Sequence, residues 1–356
     1  MNLRRLRDYA WVLLALGLPT PRSALAAPTT EGLKPGPAGI VDVVRGNRVS
    51  APFLDLADDP GWKNPEVKGF ILRTEWMAVE PAEGKFDFSF FDQAVELARQ
   101  NGKFVGLSIC AGRASPDWVY ADGAAKMTFT RRLTMGDPTR NSMPWPWDPV
   151  FRAKWRSLIR QFAKRYDLTP EVAYIVMTGP GRDFETYVAS RPDEIADFTQ
   201  AGGLAAWSQA AEGIADDYVE AFAHTPLVYG MGPPTPTSEG RATVVDVMGR
   251  LFRKYPYQFG VCCDSLAPRF NPQTPSAAFV KSESAHATVG FQMLLPSKHG
   301  LNMHGGALGD ALKTGVADGA HYIEVYSIDC ADPDQQGNLA AANTGLAANA
   351  ANARPH

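Results

Sequence analysis

"VKGFILRTEWMAVEPAEGKFDFSFFDQAVELARQNGKFVGLSIC", residues 67–110, contains two structural periods in one short span. "VKGFILRT" (67–74) is an apolar run of strand length. "SFFDQAVELARQNG" (89–102) then brings back Phe91, Val95 and Ala98 at helical spacing until Gly102 stops it, and "KFVGLSIC" (103–110) returns to a strand. The residues between, "EWMAVEPAEGKFDF", follow neither period. They form a loop carrying Trp76, Glu80, Pro81 and Gly84.

The same alternation continues downstream. Helix "DPVFRAKWRSLIRQFAKRY" (148–166) opens on Asp148-Pro149 and places Phe151, Trp155, Leu158, Ile159 and Phe162 on one face. Strands "EVAYIVMTG" (171–179), "PLVYGMG" (226–232), "QFGVCCDSL" (258–266), "TVGFQML" (288–294) and "HYIEVYSID" (321–329) follow, with helical segments between them. A further strand near "GIVDVVRG" (39–46) or "APFLDL" (51–56) brings the set to eight. Eight β/α units in about 300 residues predict a single-domain α/β fold, a (β/α)8 TIM barrel over residues 28–335. A doubly wound nucleotide-binding sheet lacks its G-x-G-x-x-G fingerprint here.

Of 356 residues, 45% are hydrophobic and 21% charged, as in an ordinary globular protein. A net charge of -3 offers no electrostatic basis for nucleic-acid or membrane binding. Arg4, Arg5 and Arg7, the apolar run "YAWVLLALGL" and the small residues of "SALAAP" have the layout of a cleavable leader over residues 1–27. That run is about half of what spans a bilayer, so the expectation is a secreted or periplasmic protein without a membrane anchor. The Ala/Asn/Gly-rich residues 336–356 form a low-complexity tail, left open between a surface helix and disorder. Cys110, Cys262, Cys263 and Cys330 lack zinc-site spacing and leave open one disulfide or buried free thiols.

Alternation within the strands assigns side chains to the barrel interior, where barrel enzymes place their chemistry at the C-terminal strand ends. Ile71, Arg73 and Glu75 point inward, as do Gly260, Cys262 and Asp264, Gly290 and Gln292, and Tyr322, Glu324 and Tyr326. A buried carboxylate needs a partner, so Arg73 between Glu75 and Glu324 reads as a site or as a structural ion-pair cluster. The glycine-rich turn "TGPGRDFETY" aims Glu185 at the same mouth, and Asp183 suits a helix start. Trp76, Trp118, Trp145 and Trp147 follow the second and third strands, where aromatic faces suit sugar rings.

The stretch "LRTEWMAVEPAEGKFDFSFFDQAVELARQNGKFVGLSICAGRASPDWV" (72–119) resembles the W-x-x-x-E-P-x-x-G-x-F-D-F-x-x-x-D segment of clan A glycoside hydrolases. The likeness is above all to the family 42 β-galactosidases and more loosely to the family 10 xylanases. It implies that "VKGFILRT" is strand two, that Arg73 supports the nucleophile, and that Glu185 after strand four is the acid/base. The chain departs from the pattern twice. Phe184 stands where an Asn precedes the acid/base, and strand seven offers Gln292 where the nucleophilic glutamate belongs.

The expected chemistry is hydrolysis of an O-glycosidic bond in an oligo- or polysaccharide, with Glu185 and Glu324 as the catalytic pair and no cofactor. Arg73, Glu75, Trp76, Trp118, Trp147, Asp264, Gln292 and Tyr326 are the expected substrate-binding residues. Strands four and eight stand across a barrel from each other, which favours a wide carboxyl separation and inversion of the anomeric centre. The rival is a barrel that binds carbohydrate without cutting it. A metal-dependent hydrolase would draw on His299, His304, Asp264 and His321, which lack metal-ligand spacing.

Overall fold

A computed structural model describes residues 32–44, 56–129, 140–183, 186–256, 258–297 and 307–353. The expected leader, Phe184, Glu185, His299 and His304 lie outside the described residues. Strands β1 (Gly39–Val43), β2 (Val67–Glu75), β3 (Phe104–Cys110), β4 (Val172–Met177), β5 (Leu227–Gly230), β6 (Phe259–Leu266), β7 (Val289–Met293) and β8 (Tyr322–Tyr326) close a barrel in the order β1-β8-β7-β6-β5-β4-β3-β2. Every neighbouring pair in that ring is parallel. The first strand is the "GIVDV" stretch. Leu56, the last residue of the alternative stretch, opens a 3₁₀ turn instead.

Helices α1 (Ser89–Asn101), α2 (Pro149–Tyr166), α3 (Gly203–Ala221), α4 (Ser238–Lys254), α5 (Pro275–Glu283) and α6 (Leu308–Ala317) return the chain between successive strands from β2 onward. Their boundaries follow local chemistry. The Asp148 carboxylate accepts from Phe151 N–H at 2.9 Å with Pro149 in the first turn, and Thr274 does the same for α5 with Pro275. Gly102 ends α1 in the left-handed region at φ 63°.

Of the two alternatives left open for the Ala/Asn-rich segment, the structure has the helix. Gln336–Asn352 form a helix, α7, with Leu339, Ala342 and Leu346 buried at helical spacing. Small side chains let it lie close, and asparagines satisfy the backbone it covers. Asn343 accepts from Ile40 N–H at 2.8 Å and donates to Glu66 O at 2.8 Å, and Asn349 donates to Val316 O and Ala320 O at 2.9 Å. The barrel unit therefore runs past residue 335 to Asn352.

Two apolar layers hold the barrel. The larger lies between strands and helices and takes Phe70, Leu72, Val261, Phe291, Ile323 and Val325. The smaller fills the interior with Val41, Val43, Ile71, Tyr174, Val176, Cys262 and Tyr322. Glycine makes the interior rings fit: a Cβ on Gly106 or Gly290 would lie 2.2 Å from the ring of Tyr174 or Tyr322, respectively. All four cysteines are buried and none is joined in a disulfide, so the bridge left open by the sequence does not form in this structure.

Asp42 alternates with inward Val41 and Val43 and so faces outward, fully buried against the 3₁₀ turns that precede β2. Its Oδ1 accepts from Ser327 Oγ at 2.6 Å, and its carboxyl and that of Asp59 both crowd Gly61. Burial, reinforced by the charge of Asp59, pushes Asp42 well above the usual carboxylate range, opposed by Ser327, Cys330 and Lys103. A native pKa above the unfolded value gives stability that is full below about pH 4 and is lost as pH rises through the native pKa. Asp42→Asn keeps an acceptor for Ser327 and cannot ionise. It is expected to be at least as stable as the wild type at pH 7 and to flatten the fall in stability above pH 4. Denaturant unfolding between pH 4 and 8 checks this, and an unchanged pH slope would sink it.

Candidate active site

The inward parity of β2, β6, β7 and β8 brings their polar residues into one layer above the Tyr174–Tyr322 ring pair, whose centroids are 5.3 Å apart. Arg73 Nη2 donates to Glu324 Oε2 at 2.6 Å and also to Gln292 Oε1. From across the barrel on β4, Tyr174 Oη donates to Glu324 Oε1 at 3.1 Å, and Gln292 Nε2 reaches Tyr326 Oη at 3.5 Å. Glu324 and Gln292 are direct register partners on adjacent strands, so one guanidinium serves both. Four of the expected residues, Arg73, Gln292, Glu324 and Tyr326, thus form one connected network.

Glu324 is fully buried, while Arg73 keeps 20% of its side chain exposed. Burial pushes the Glu324 carboxyl up. The Arg73 charge and the Tyr174 hydroxyl pull it back, and the Asp264 charge adds to the rise. The Cys262 thiol in the same layer is pushed well above its ordinary value by burial and by Glu324, which leaves it an inert filler. Glu75 and Asp264 are half-buried at the ends of β2 and β6. Tyr174 escaped the sequence reading. Its signal was a lone phenol in an otherwise aliphatic strand, registered against Gly106.

Of the three tryptophans expected to bind substrate, Trp76 alone is fully enclosed, while Trp118 and Trp147 are half-buried. Trp76 is fully buried and packs at 5.0 Å on Trp155 and 5.7 Å on Trp118. Its Nε1 donates to Glu80 Oε2 at 2.8 Å, while Gly84 N–H donates to Glu80 Oε1 at 2.8 Å. The W-x-x-x-E-P-x-x-G motif is therefore a turn tied by one buried carboxylate, with Gly84 at φ 72° closing it. Trp118 donates to Glu80 O at 3.2 Å and has Lys154 of α2 5.3 Å over its ring, outside the strand ring. Trp147 stacks on Trp145 at 5.0 Å and meets Phe198 at 5.9 Å. Among the described residues, the ring contacts and hydrogen bonds of Trp76, Trp118 and Trp147 run to Glu80, Lys154 and neighbouring aromatic rings, and none reaches Arg73 or Glu324. Trp76 is a core residue and cannot stack on a ligand.

The turn after β4 that carries Glu185 is anchored on both sides of its two undescribed residues. Arg113 N–H donates to Arg182 O at 2.9 Å, and the Arg113 guanidinium holds the Asp183 carboxylate, so Asp183 is an ion-pair partner and starts no helix. On the far side Arg182 N–H donates to Tyr187 O at 2.8 Å, and Val188 N–H to Pro234 O at 2.9 Å. His321 lies at the opposite end of β8, its ring nitrogen 3.0 Å from Ser284 O. Among the described residues no group of three or more His, Cys, Asp or Glu could hold a metal ion, and no helix is long and apolar enough to cross a membrane.

Residues 70–212 match the family model of glycoside hydrolase 42, described as β-galactosidase. The β-galactosidase BgaH of Haloferax lucentense is 27% identical over 160 residues, covering 38% of this chain and 22% of that protein. The β-galactosidase Pbg of Clostridium perfringens is 30% identical over 94 residues, covering 26% of this chain and 13% of that one. The match thus spans about a fifth or less of these relatives' length. Among solved structures, the β-galactosidase of the psychrophilic Marinomonas ef1 superposes with a TM-score of 0.53 at 11% identity, over 86% of this chain and 59% of that one. An endo-β-1,4-glucanase of Xanthomonas axonopodis pv. citri, carrying a triple mutation, superposes with a TM-score of 0.53 at 12% identity, over 86% and 99%. These two likenesses speak to the fold. From within β2 into α3, this chain carries the sequence pattern of the glycoside hydrolase 42 family, on a closed (β/α)8 barrel.

Proposed function

We propose that this protein hydrolyses O-glycosidic bonds, β-galactosides first among them, with Glu324 as one catalytic carboxyl and Glu185 as the other. The observation that carries the reading is Arg73, which binds the carboxylate of Glu324 across the side chain of Gln292. The arginine that the family resemblance assigns to nucleophile support has found its carboxylate one strand further on. Glu185, protonated, gives its proton to the leaving oxygen. Glu324, ionised, attacks the anomeric carbon or activates water, with Arg73 and Tyr174 favouring the charged form. The N-terminal leader pattern supports action outside the cytoplasm, and N-terminal sequencing of the mature protein checks it: a new terminus near Ala26–Ala27 is the expected result.

A second reading has its own observation. Gln292 places a neutral amide where the family has its nucleophile, which suits a barrel that holds carbohydrate without cutting it. A panel of aryl glycosides, run on the wild type and on Glu185→Gln, separates the two. Hydrolysis predicts turnover by the wild type and a loss of about 10²-fold or more in the variant, greatest for substrates with poor leaving groups. Binding alone predicts no turnover by either and equal affinity. A variant as active as the wild type would remove Glu185 from the mechanism.

A further inference from the structure

We propose a further activity for this barrel: it cleaves 2-acetamido-2-deoxyglycosides, with the substrate's own acetamido oxygen as the nucleophile and Gln292 holding that group in place. The inference rests on the hydrolytic reading above and names a second substrate class for the same mouth.

Its basis is the orientation of one amide. A guanidinium only donates, so the bond from Arg73 Nη2 fixes Oε1 as the Gln292 atom that faces the arginine and turns Nε2 away from it. Nε2 carries two N–H groups and has one partner among the described residues, Tyr326 Oη at the long distance of 3.5 Å. Gln292, Tyr326 and Arg73 are half-buried, whereas the Glu324 side chain is fully enclosed, its Oε1 engaged by Tyr174 and its Oε2 by Arg73. A sugar that enters the mouth therefore meets the amide before the carboxylate.

An amide held this way offers a donor and no nucleophile. The ligand group that completes it is an acceptor next to the anomeric carbon that can itself attack. The carbonyl oxygen of a 2-acetamido group is both, since it closes a five-membered ring on the anomeric carbon without a nucleophile from the protein. That oxygen bonds to the anomeric carbon as the glycosidic C–O bond breaks, and the leaving oxygen takes the proton of Glu185, the acid named above. Water then adds to the anomeric carbon, returns a proton to Glu185 and reopens the ring, so the acetamide is restored and one water is consumed. Glu324, the register partner of Gln292 on the next strand, supplies negative charge for the cationic intermediate.

Kinetics on the full chain test this with the nitrophenyl β-galactoside, its 2-acetamido-2-deoxy analogue and the trifluoroacetamido counterpart of that analogue, for the wild type and Gln292→Met. The wild type is expected to cleave the acetamido substrate, and the trifluoroacetamido one about 10²-fold or more slowly, because fluorine drains the oxygen that attacks. A thiazoline that mimics the closed ring is expected to inhibit about 10²-fold or more tightly than N-acetylgalactosamine. Gln292→Met keeps the length of the side chain and loses the donor. It is expected to lower kcat/KM on the acetamido substrate, relative to that on the galactoside, by about 10-fold or more. Cleavage of the galactoside without turnover of the acetamido substrate overturns the proposal and leaves hydrolysis standing. Equal rates on the two amide substrates, or a ratio that Gln292→Met leaves unmoved, overturn it as well. A wild type that cleaves none of the three refutes both readings.

Discussion

Glu324→Gln is expected to lower kcat on an aryl glycoside by about 10³-fold or more with KM changed only a few-fold, and Gln292→Glu added to it is expected to recover at least about 10-fold of the loss. An amide has the shape of the carboxylate but cannot attack carbon or take a proton, so the single change removes chemistry and little else. The double variant exchanges the two side chains between β7 and β8, where they are register partners on the same guanidinium. Volume, net charge and the Arg73 contact are all preserved. Gln292→Glu alone would set two carboxylates on one cation and drive one of them to hold its proton. The pH profile gives a second reading. Burial lifts the Glu324 carboxyl above 4.5, so the ionised form, and with it kcat/KM, rises with pH along a limb that lies above that value. Glu324→Gln removes the limb along with the activity. More than about a tenth of wild-type kcat surviving in Glu324→Gln would end its assignment as a catalytic group.

The part of this site legible in the sequence is the part governed by a period of two. Once "YIEVY" and "GFQM" were read as strands, parity alone put Glu324 and Gln292 inside and Ile323, Val325 and Phe291 outside, as in the structure. Parity stops where the strand stops. β2 ends at Glu75, and Trp76 begins a short helix, Trp76–Val79, that rolls the indole away from the mouth and into the layer beneath α2. Composition left the C-terminus open, because Leu339 and Leu346 supply nearly all the apolar bulk of α7. There the asparagines do what leucines do elsewhere, closing the open backbone of β1 with side-chain hydrogen bonds that no hydropathy pattern reports.

Trp76→Ala is expected to cost about 3–5 kcal/mol of folding stability, a fall in melting temperature of about 5–8 °C, while leaving KM for any bound sugar within about 3-fold. The indole is fully buried, tilted against Trp155 at 5.0 Å and edge-on to Trp118 at 5.7 Å and to Phe151 at 6.1 Å. Its removal leaves a cavity lined by rings that cannot collapse into it, and it strips Glu80 Oε2 of its donor. The Glu80 carboxyl is already pushed up by burial, with the Trp76 and Gly84 N–H groups opposing the rise. Losing one of them raises the cost of ionising it further, so the penalty grows as pH rises through the raised pKa. Trp76→Phe fills most of the volume without the N–H and should lie between the two. Thermal melts at pH 5 and 8 with parallel kinetics decide the matter. A KM raised more than about 10-fold at unchanged melting temperature would return Trp76 to the substrate, and a large melting shift at constant KM places the family motif in the scaffold that holds β2, and with it Arg73, in register.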